Sequence, residues 1–283
     1  VPELPEVEIT ARLLARALAG AEVESALAPG INALKTFDPP LSALAGSRLS
    51  GIDRRGKLLL VRCTAGEPLT LLIHLMSAGR LQLFATRAAP RDRTSRLLLR
   101  LADGRELRLR EFGTRQRAWA KLLREDALAT EQTLAELGPE AWPEPPADLR
   151  DRLAAPRPLY ALLRDQHVLA GIGRSWVDEI LHAAQLSPFK RGTDLDGAEA
   201  ERLRAAIVDR LGAALEAYAA LSLPLPDKLP LPLRVHRHQG EPCPRCVTTL
   251  EAVFYEDYVM SYCPSCQTDG KVLKDRRLSR LLK

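Results

Sequence analysis

The sequence predicts an α+β multidomain chain: an N-terminal β-sandwich with a flanking helix, a helical middle, and a small cysteine-bearing ribbon at the end. Three observations carry that expectation. Apolar residues recur at helical spacing over residues 4–18, follow an extended pattern from about 21 to 125, and return to helical spacing beyond Pro146. The proline-rich run Leu137-Gly138-Pro139 through Pro143, Pro145 and Pro146 interrupts both periodicities, because proline fixes φ and donates no backbone N–H. Near the end, a Cys-x2-Cys pair is followed by a second one.

The first helix stops at Gly20, a C-terminal signal. Pro5 suits the first helical turn, where a missing N–H costs nothing, and Glu6 and Glu8 complement the positive end of the helix dipole. Pro2 and Glu3, just ahead, admit a second reading. A proline at a free chain end is a secondary amine with a pKa of roughly 8 or below, able to form an iminium ion. Glu3 beside it could then supply general-acid chemistry. That reading requires Val1 to be absent from the mature protein. A start codon written as valine but initiated with methionine, which is removed before proline, accounts for it. Helix start and active amine both stand at this point.

Short apolar runs at residues 58–61, 69–74, 81–84, 97–101 and 106–109 read as strands, with Asp103-Gly104 as a hairpin turn between the last two. Strands separated by polar turns favour a β-sandwich packed against the first helix. Helices are expected at 147–153, 159–166, 174–184 and 197–221. A second proline-rich segment, Pro224, Pro226, Pro230 and Pro232, separates them from the cysteines. The expected domains are therefore 1–136, 137–223 and 224–283.

A formal charge of +5 over 283 residues is modest, but the basic residues cluster at Arg54-Arg55-Gly56-Lys57, between Arg105 and Arg117, and from Lys271 to Lys283. Such clusters suit a polyanion or a solvated charged face. No stretch approaches the roughly 18 apolar residues of a membrane span, and Arg12 and Arg16 interrupt any signal-peptide core. A cytoplasmic protein is expected. Cys63 falls in a strand and reads as a buried thiol. Cys243, Cys246, Cys263 and Cys266 offer four soft ligands at the spacing of two zinc knuckles, with a hairpin at 250–255 and 259–262 between them. One structural zinc ion is expected, closed to water and so without chemistry of its own. Gly171-Ile172-Gly173 opens a helix and fits either phosphate binding or a tight interhelical turn.

Taken together, Pro2-Glu3-Leu4-Pro5-Glu6-Val7-Glu8, Arg55-Gly56-Lys57, His74-Leu75, the Gly171-Ile172-Gly173 helix and the terminal cysteines resemble the formamidopyrimidine-DNA glycosylase and endonuclease VIII family, in the same order along the whole chain. Within it the chain is most similar to a divergent actinobacterial-type paralogue, supported by Lys35-Thr36-Phe37-Asp38-Pro39-Pro40 and the basic tail from Gly270. The resemblance implies a β-sandwich, a helix-two-turn-helix domain and a zinc finger acting on double-stranded DNA that carries oxidised bases or abasic sites. It implies a monomer, nucleoid-associated in the cytoplasm. By the same resemblance Pro2 attacks the sugar, Glu3 protonates the opening ring, Glu6 supports that step, and Lys57 assists β-elimination. His74, Arg115, Arg117, Gly173 and Arg174 would bind DNA. Several positions depart from the family pattern. Arg174 stands where an asparagine is usual, and Tyr258 where a zinc-finger arginine serves δ-elimination, so that elimination is expected to be weak or absent. The void-filling positions are altered too, leaving Met76, Arg115 or Arg117 as substitutes. A non-catalytic damaged-DNA-binding relative is the alternative function.

Overall fold

The computed structural model describes residues 2–30, 32–89, 92–112, 115–256 and 258–274. Val1, the Gly113-Thr114 part of the altered loop and the tail from residue 275 onward lie outside the described residues. By contact the chain forms two compact units, one of Val1–Glu136 with Leu215–Pro230, the other of Leu137–Ala214 with Leu231–Lys283.

The first unit begins with α1 (Leu4–Leu18), followed by β1 (Val23–Leu27), a 3-10 turn (Leu41–Leu44), β2 (Arg48–Arg55), β3 (Leu58–Ala65), β4 (Glu67–His74), β5 (Gly79–Phe84), β6 (Ser95–Leu101), β7 (Glu106–Glu111) and β8 (Trp119–Arg124). Two short helices, α2 (Glu125–Ala129) and α3 (Gln132–Ala135), close it. The strands make two antiparallel four-stranded sheets, ordered β1-β6-β7-β5 and β2-β3-β4-β8. Alternate residues point inward: Leu59, Val61 and Cys63 of β3, Leu69, Leu71 and Ile73 of β4, Leu97, Leu99 and Leu101 of β6, and Leu107 and Leu109 of β7. They join Val7, Ala11, Leu14 and Leu18 from one face of α1 in a single core, which makes this unit the expected sandwich with its flanking helix. Cys63 is buried in that core, and burial pushes its thiol up to about 11. The Asp103-Gly104 turn forms as expected, with Asp103 Oδ1 accepting the Arg105 N–H at 3.0 Å and Gly104 at φ 89°.

Strands β1 and β2 escape a periodicity reading for physical reasons, and β8 escapes it too. β1 has only Val23 fully buried. β2 carries Arg48, Asp53, Arg54 and Arg55, and a bulge between Leu49 and Gly51 breaks its alternation. The second proline-rich segment also does more than separate helices from cysteines. Leu225 and Leu229 bury with Tyr218 against Ile9 of α1. Gln82 donates to the Leu225 carbonyl at 2.6 Å, Arg80 to the Asp227 carbonyl at 2.7 Å, and Arg110 pairs with the Asp227 carboxylate at 2.9 Å. Residues Leu215–Pro230 therefore group with the sandwich, where the sequential order placed them in the second and third domains.

The second unit contains α4 (Leu149–Leu153), α5 (Leu159–Arg164), α6 (Arg174–Ala183), a 3-10 turn (Gly192–Asp194) and most of α7 (Gly197–Tyr218). It ends with the hairpin β9 (Glu251–Phe254) and β10 (Val259–Tyr262) and the short α8 (Pro264–Thr268). Leu159, Leu162 and Leu163 of α5, Val177 and Ile180 of α6, and Leu203, Ile207 and Leu211 of α7 are buried at helical spacing. Gly192 is required where it stands: a Cβ there would lie 1.7 Å from the Leu153 carbonyl oxygen. Among the described residues no helix is long and apolar enough to cross a membrane.

Candidate functional site

The first turn of α1 is built around two buried carboxylates. Glu3, the N-cap, is 1% exposed and Glu6 is 4% exposed. They close a capping box, in which Glu6 Oε2 accepts the Glu3 N–H at 2.8 Å. Glu6 Oε1 accepts the Tyr218 hydroxyl at 2.9 Å, and the Thr10 hydroxyl donates to the Glu6 carbonyl at 2.7 Å. Both Glu6 oxygens are thus committed, one to the Glu3 backbone and the other to Tyr218, and Pro2, also buried, immediately precedes Glu3. The expected helix start and the expected active amine therefore occupy one place. Tyr218 was not legible from the sequence, since no local pattern links residues 212 positions apart. Burial and then the nearby Glu6 charge push its phenol far above the usual value, so it stays a hydrogen-bond donor. Tyr218→Phe leaves a buried carboxylate oxygen without that donor. Thermal melting should show a loss of about 1–3 kcal/mol. Unchanged melting would mean that the hydroxyl does not hold Glu6.

Gly56-Lys57 is the two-residue turn between β2 and β3, and Gly56 takes φ 56° as such turns require. Arg54 fixes that turn to α1. Its Nε donates to Glu8 Oε2 at 2.7 Å and its Nη1 to the Gly56 carbonyl at 2.9 Å, with the arginine side chain 6% exposed. Burial acts to raise the Glu8 carboxyl, but Arg54 and Arg12 outweigh it and hold the group below the usual range. Leu58, next to Lys57, pairs in register with His74. Burial, and then the Lys57 charge, hold the His74 ring down to about 4. His74 Nδ1 accepts the Met76 N–H at 2.8 Å, so the neutral ring carries its proton on Nε2, and the ring stacks on Trp119. Met76 itself takes φ 51°. Arg115 and Arg117 are exposed in the loop between β7 and β8, whose end is pinned by Glu111 accepting the Arg117 and Ala118 N–H groups.

In the second unit the chain makes two turns between α5 and α6. Gln166 organises them by accepting the Gly171 N–H at 3.0 Å and donating to the Ile172 carbonyl at 2.9 Å, while Gly171 takes φ 110°. Gly173 is the N-cap of α6 and Arg174 its first residue, at the positive end of the helix dipole. Arg174 also lies 5.2 Å from the Tyr258 ring centroid. Tyr258 stacks on Tyr255 at 4.3 Å and on Tyr160 at 5.9 Å, and Arg164 lies 4.8 Å from its ring. The two departures from the family pattern, Arg174 and Tyr258, are therefore in contact. Further along α6, Asp178 Oδ2 binds His236 at 2.6 Å and the Ser261 N–H at 2.9 Å. Burial pushes the Asp178 carboxyl up to about 7 against those bonds. Glu179 Oε1 accepts the N–H groups of Arg234, Val235 and His236.

The four cysteine sulfurs lie within 4.8 Å of one another, with Cys243 and Cys263 buried. Cys246 Sγ is 3.5 Å from Cys263 Sγ and 3.4 Å from Cys266 Sγ. A tetrahedral zinc at about 2.3 Å from each sulfur puts sulfurs about 3.8 Å apart, so the donor set fits that ion by softness, number and size. The N–H groups of Arg245 and Cys266 point at Cys243 and Cys263 sulfur, both at 3.4 Å, which suits thiolates. His182 Nε2 lies 3.1 Å from Cys243 Sγ, a contact from α6 that the spacing of the cysteines does not announce.

A family model for the formamidopyrimidine-DNA glycosylase N-terminal domain matches residues 1–116, and one for the H2TH domain of the same enzyme matches residues 137–222. The formamidopyrimidine-DNA glycosylase of Latilactobacillus sakei is 31% identical over 280 residues, covering 94% of this chain and 98% of that one. An uncharacterised formamidopyrimidine-DNA glycosylase-like protein of Mycobacterium tuberculosis is 41% identical over 149 residues, covering 52% of this chain and 94% of that protein. The crystal structure of the Lactococcus lactis enzyme with DNA containing an N7-benzyl-Fapy-dG superposes with a TM-score of 0.83 at 26% identity, covering 94% of this chain and all of that one. The chain belongs to the formamidopyrimidine-DNA glycosylase family, and its higher identity to the mycobacterial protein fits a divergent branch of it.

Proposed function

We propose that the protein is a base-excision glycosylase of double-stranded DNA with abasic-site lyase activity. The buried Glu3–Glu6–Tyr218 network beside Pro2 carries the reading, because it fixes a carboxylate next to the only backbone nitrogen of this turn that could become a secondary amine. The nitrogen lone pair of Pro2 attacks sugar C1′, the bond from C1′ to the base breaks with its electrons leaving on the base, and the proton shed by the Pro2 nitrogen neutralises the departing base. Glu3 gives its proton to the ring oxygen as the sugar opens, which leaves a positively charged iminium. That charge acidifies C2′. Loss of a C2′ proton expels the 3′ phosphate by β-elimination, with Lys57 beside the reacting strand. His74, Arg115 and Arg117, together with Gly173 and Arg174 at the α6 start, hold backbone and bases, and the zinc-bound ribbon keeps Tyr258 under Arg174. Zinc in this closed set supplies shape and no chemistry. On this reading residues 1–136 carry the reaction, and 137–223 and 224–283 grip DNA, in a monomer of the cytoplasm. The similarity to the Lactococcus lactis enzyme bound to abasic-site DNA supports the substrate class.

Borohydride reduction during incubation with abasic-site duplex is expected to trap a covalent complex, and the nicked product should carry the β-elimination end with little δ-product, because Tyr258 offers no cation. Intact mass must first show Pro2 as the terminus, since a retained Val1 makes its nitrogen an amide. No adduct from such protein would support the second reading, a damaged-DNA binder without catalysis. The altered Arg174–Tyr258 contact is what favours that reading.

A further inference from the structure

We propose that the second unit carries a separate binding cavity, of about 530 Å³, for a small oligophosphate of the pyrophosphate or nucleoside triphosphate class. Its volume is in the range of small-ligand sites. One side is a single face of α7. Arg202, Ala205, Ala206, Asp209 and Arg210 share it through three- and four-residue spacing, so that two alanines leave room between flanking arginines. The C-terminal half of α6 contributes Glu179 and His182, and the chain beyond α7 contributes Arg234. Arg245, which stands between the zinc ligands Cys243 and Cys246, adds a fourth guanidinium.

The charges in this cavity do not cancel. Its two carboxylates are already engaged: Glu179 Oε1 accepts three backbone N–H groups at 3.0, 2.8 and 2.9 Å, and Asp209 Oδ2 accepts Arg210 Nε at 2.8 Å. Arg245 Nη2 donates to the Ala183 carbonyl at 3.1 Å, leaving its other donors. The Arg202 and Arg234 side chains have no hydrogen bond or ion pair among the described residues. A planar guanidinium fork matches phosphate oxygens in pairs, and the three guanidinium groups not paired with a carboxylate, those of Arg202, Arg234 and Arg245, suit more than one phosphate. The cavity is distinct from the start of α6. His182 lies eight residues along that helix from Arg174, about 12 Å at 1.5 Å per residue, so a phosphate held at the helix start does not fill it.

The test is calorimetric titration of the zinc-loaded full chain with pyrophosphate, ATP and adenosine in chloride buffer. Pyrophosphate and ATP are expected to bind once per chain and adenosine not at all. The double variant R202A/R234A should weaken ATP binding by about tenfold or more, the loss of one strong charged contact. Ala205→Glu, on an exposed position of the helix surface, should do the same by placing a negative charge in the cavity without removing an arginine. Equal affinity in the wild type and both variants would overturn the proposal, and so would adenosine binding as tightly as ATP. Displacement of bound ATP by undamaged duplex, one for one, would instead assign the arginines to the DNA footprint and would also overturn it.

Discussion

Glu3→Gln is expected to slow excision of a damaged base by about 10²- to 10⁴-fold, the usual reach of a positioned proton donor, while sparing covalent capture on a pre-formed abasic site. The substitution is isosteric: the amide oxygen of Gln can still accept the Glu6 N–H of the capping box, and the bond from the Glu3 N–H to Glu6 is untouched, so the turn should hold. What changes is the proton. An intact nucleoside gives up its base only as the sugar ring opens, and the ring oxygen needs a proton as that happens. An abasic sugar already exchanges with its open aldehyde, so condensation with Pro2 no longer depends on the same donor. Single-turnover excision and borohydride trapping, measured on one preparation, separate the two steps. Excision at the wild-type rate would remove Glu3 from the mechanism, and parallel loss of both reactions would make it a residue that places Pro2 rather than an acid.

The parts of this site that the sequence displayed are those whose chemistry is local. Cys243, Cys246, Cys263 and Cys266 announce themselves because a metal constrains their spacing, and the glycines before α6 because a turn does. The core strands β3, β4, β6 and β7 were visible because each has several inward residues in alternation, whereas β2 hides its register behind a bulge and four charges. Long-range partners were invisible. Nothing in residues 1–8 indicates that Tyr218 completes the Glu6 hydrogen bonding, and nothing near Asp227 indicates that Arg80, Gln82 and Arg110 tie its segment to the sandwich. Arg174 and Tyr258 could each be seen to break a pattern. Only the structure shows that they do so in contact, with the Arg174 guanidinium at the helix start over the Tyr258 ring of the ribbon.

Removing zinc should therefore do more than loosen a ribbon. Strands β9 and β10 have four residues each, and a two-stranded hairpin of that length is marginal in water. The apolar cluster around the metal consists of Val235, Leu250 and the cysteines themselves, so thiolate–zinc bonds, worth about 10–16 kcal/mol in small zinc-finger peptides, dominate the order at the base of the hairpin. The remaining ties to the helices include the Ser261 N–H to Asp178 and Gln267 to the Leu186 carbonyl at 2.9 Å, neutral or charge-assisted bonds of about 1–3 kcal/mol each. Val253, Val259, Met260 and Tyr262 are buried as well, so what the metal chiefly supplies is the fixed pairing of the two short strands. Hydrogen exchange after chelation, or in Cys263→Ala, is expected to show lost protection at Ala252, Val253, Met260 and Ser261 but retained protection at Val177 and Ile180, buried apolar residues of α6. Affinity for abasic-site duplex should fall in step, because Arg174 loses the Tyr258 ring that orients it although α6 persists. Readdition of zinc should restore both for the chelated protein. Uniform loss of protection across α6 would make the metal a support of the whole unit, and unchanged affinity with a melted hairpin would show that Arg174 grips DNA without Tyr258.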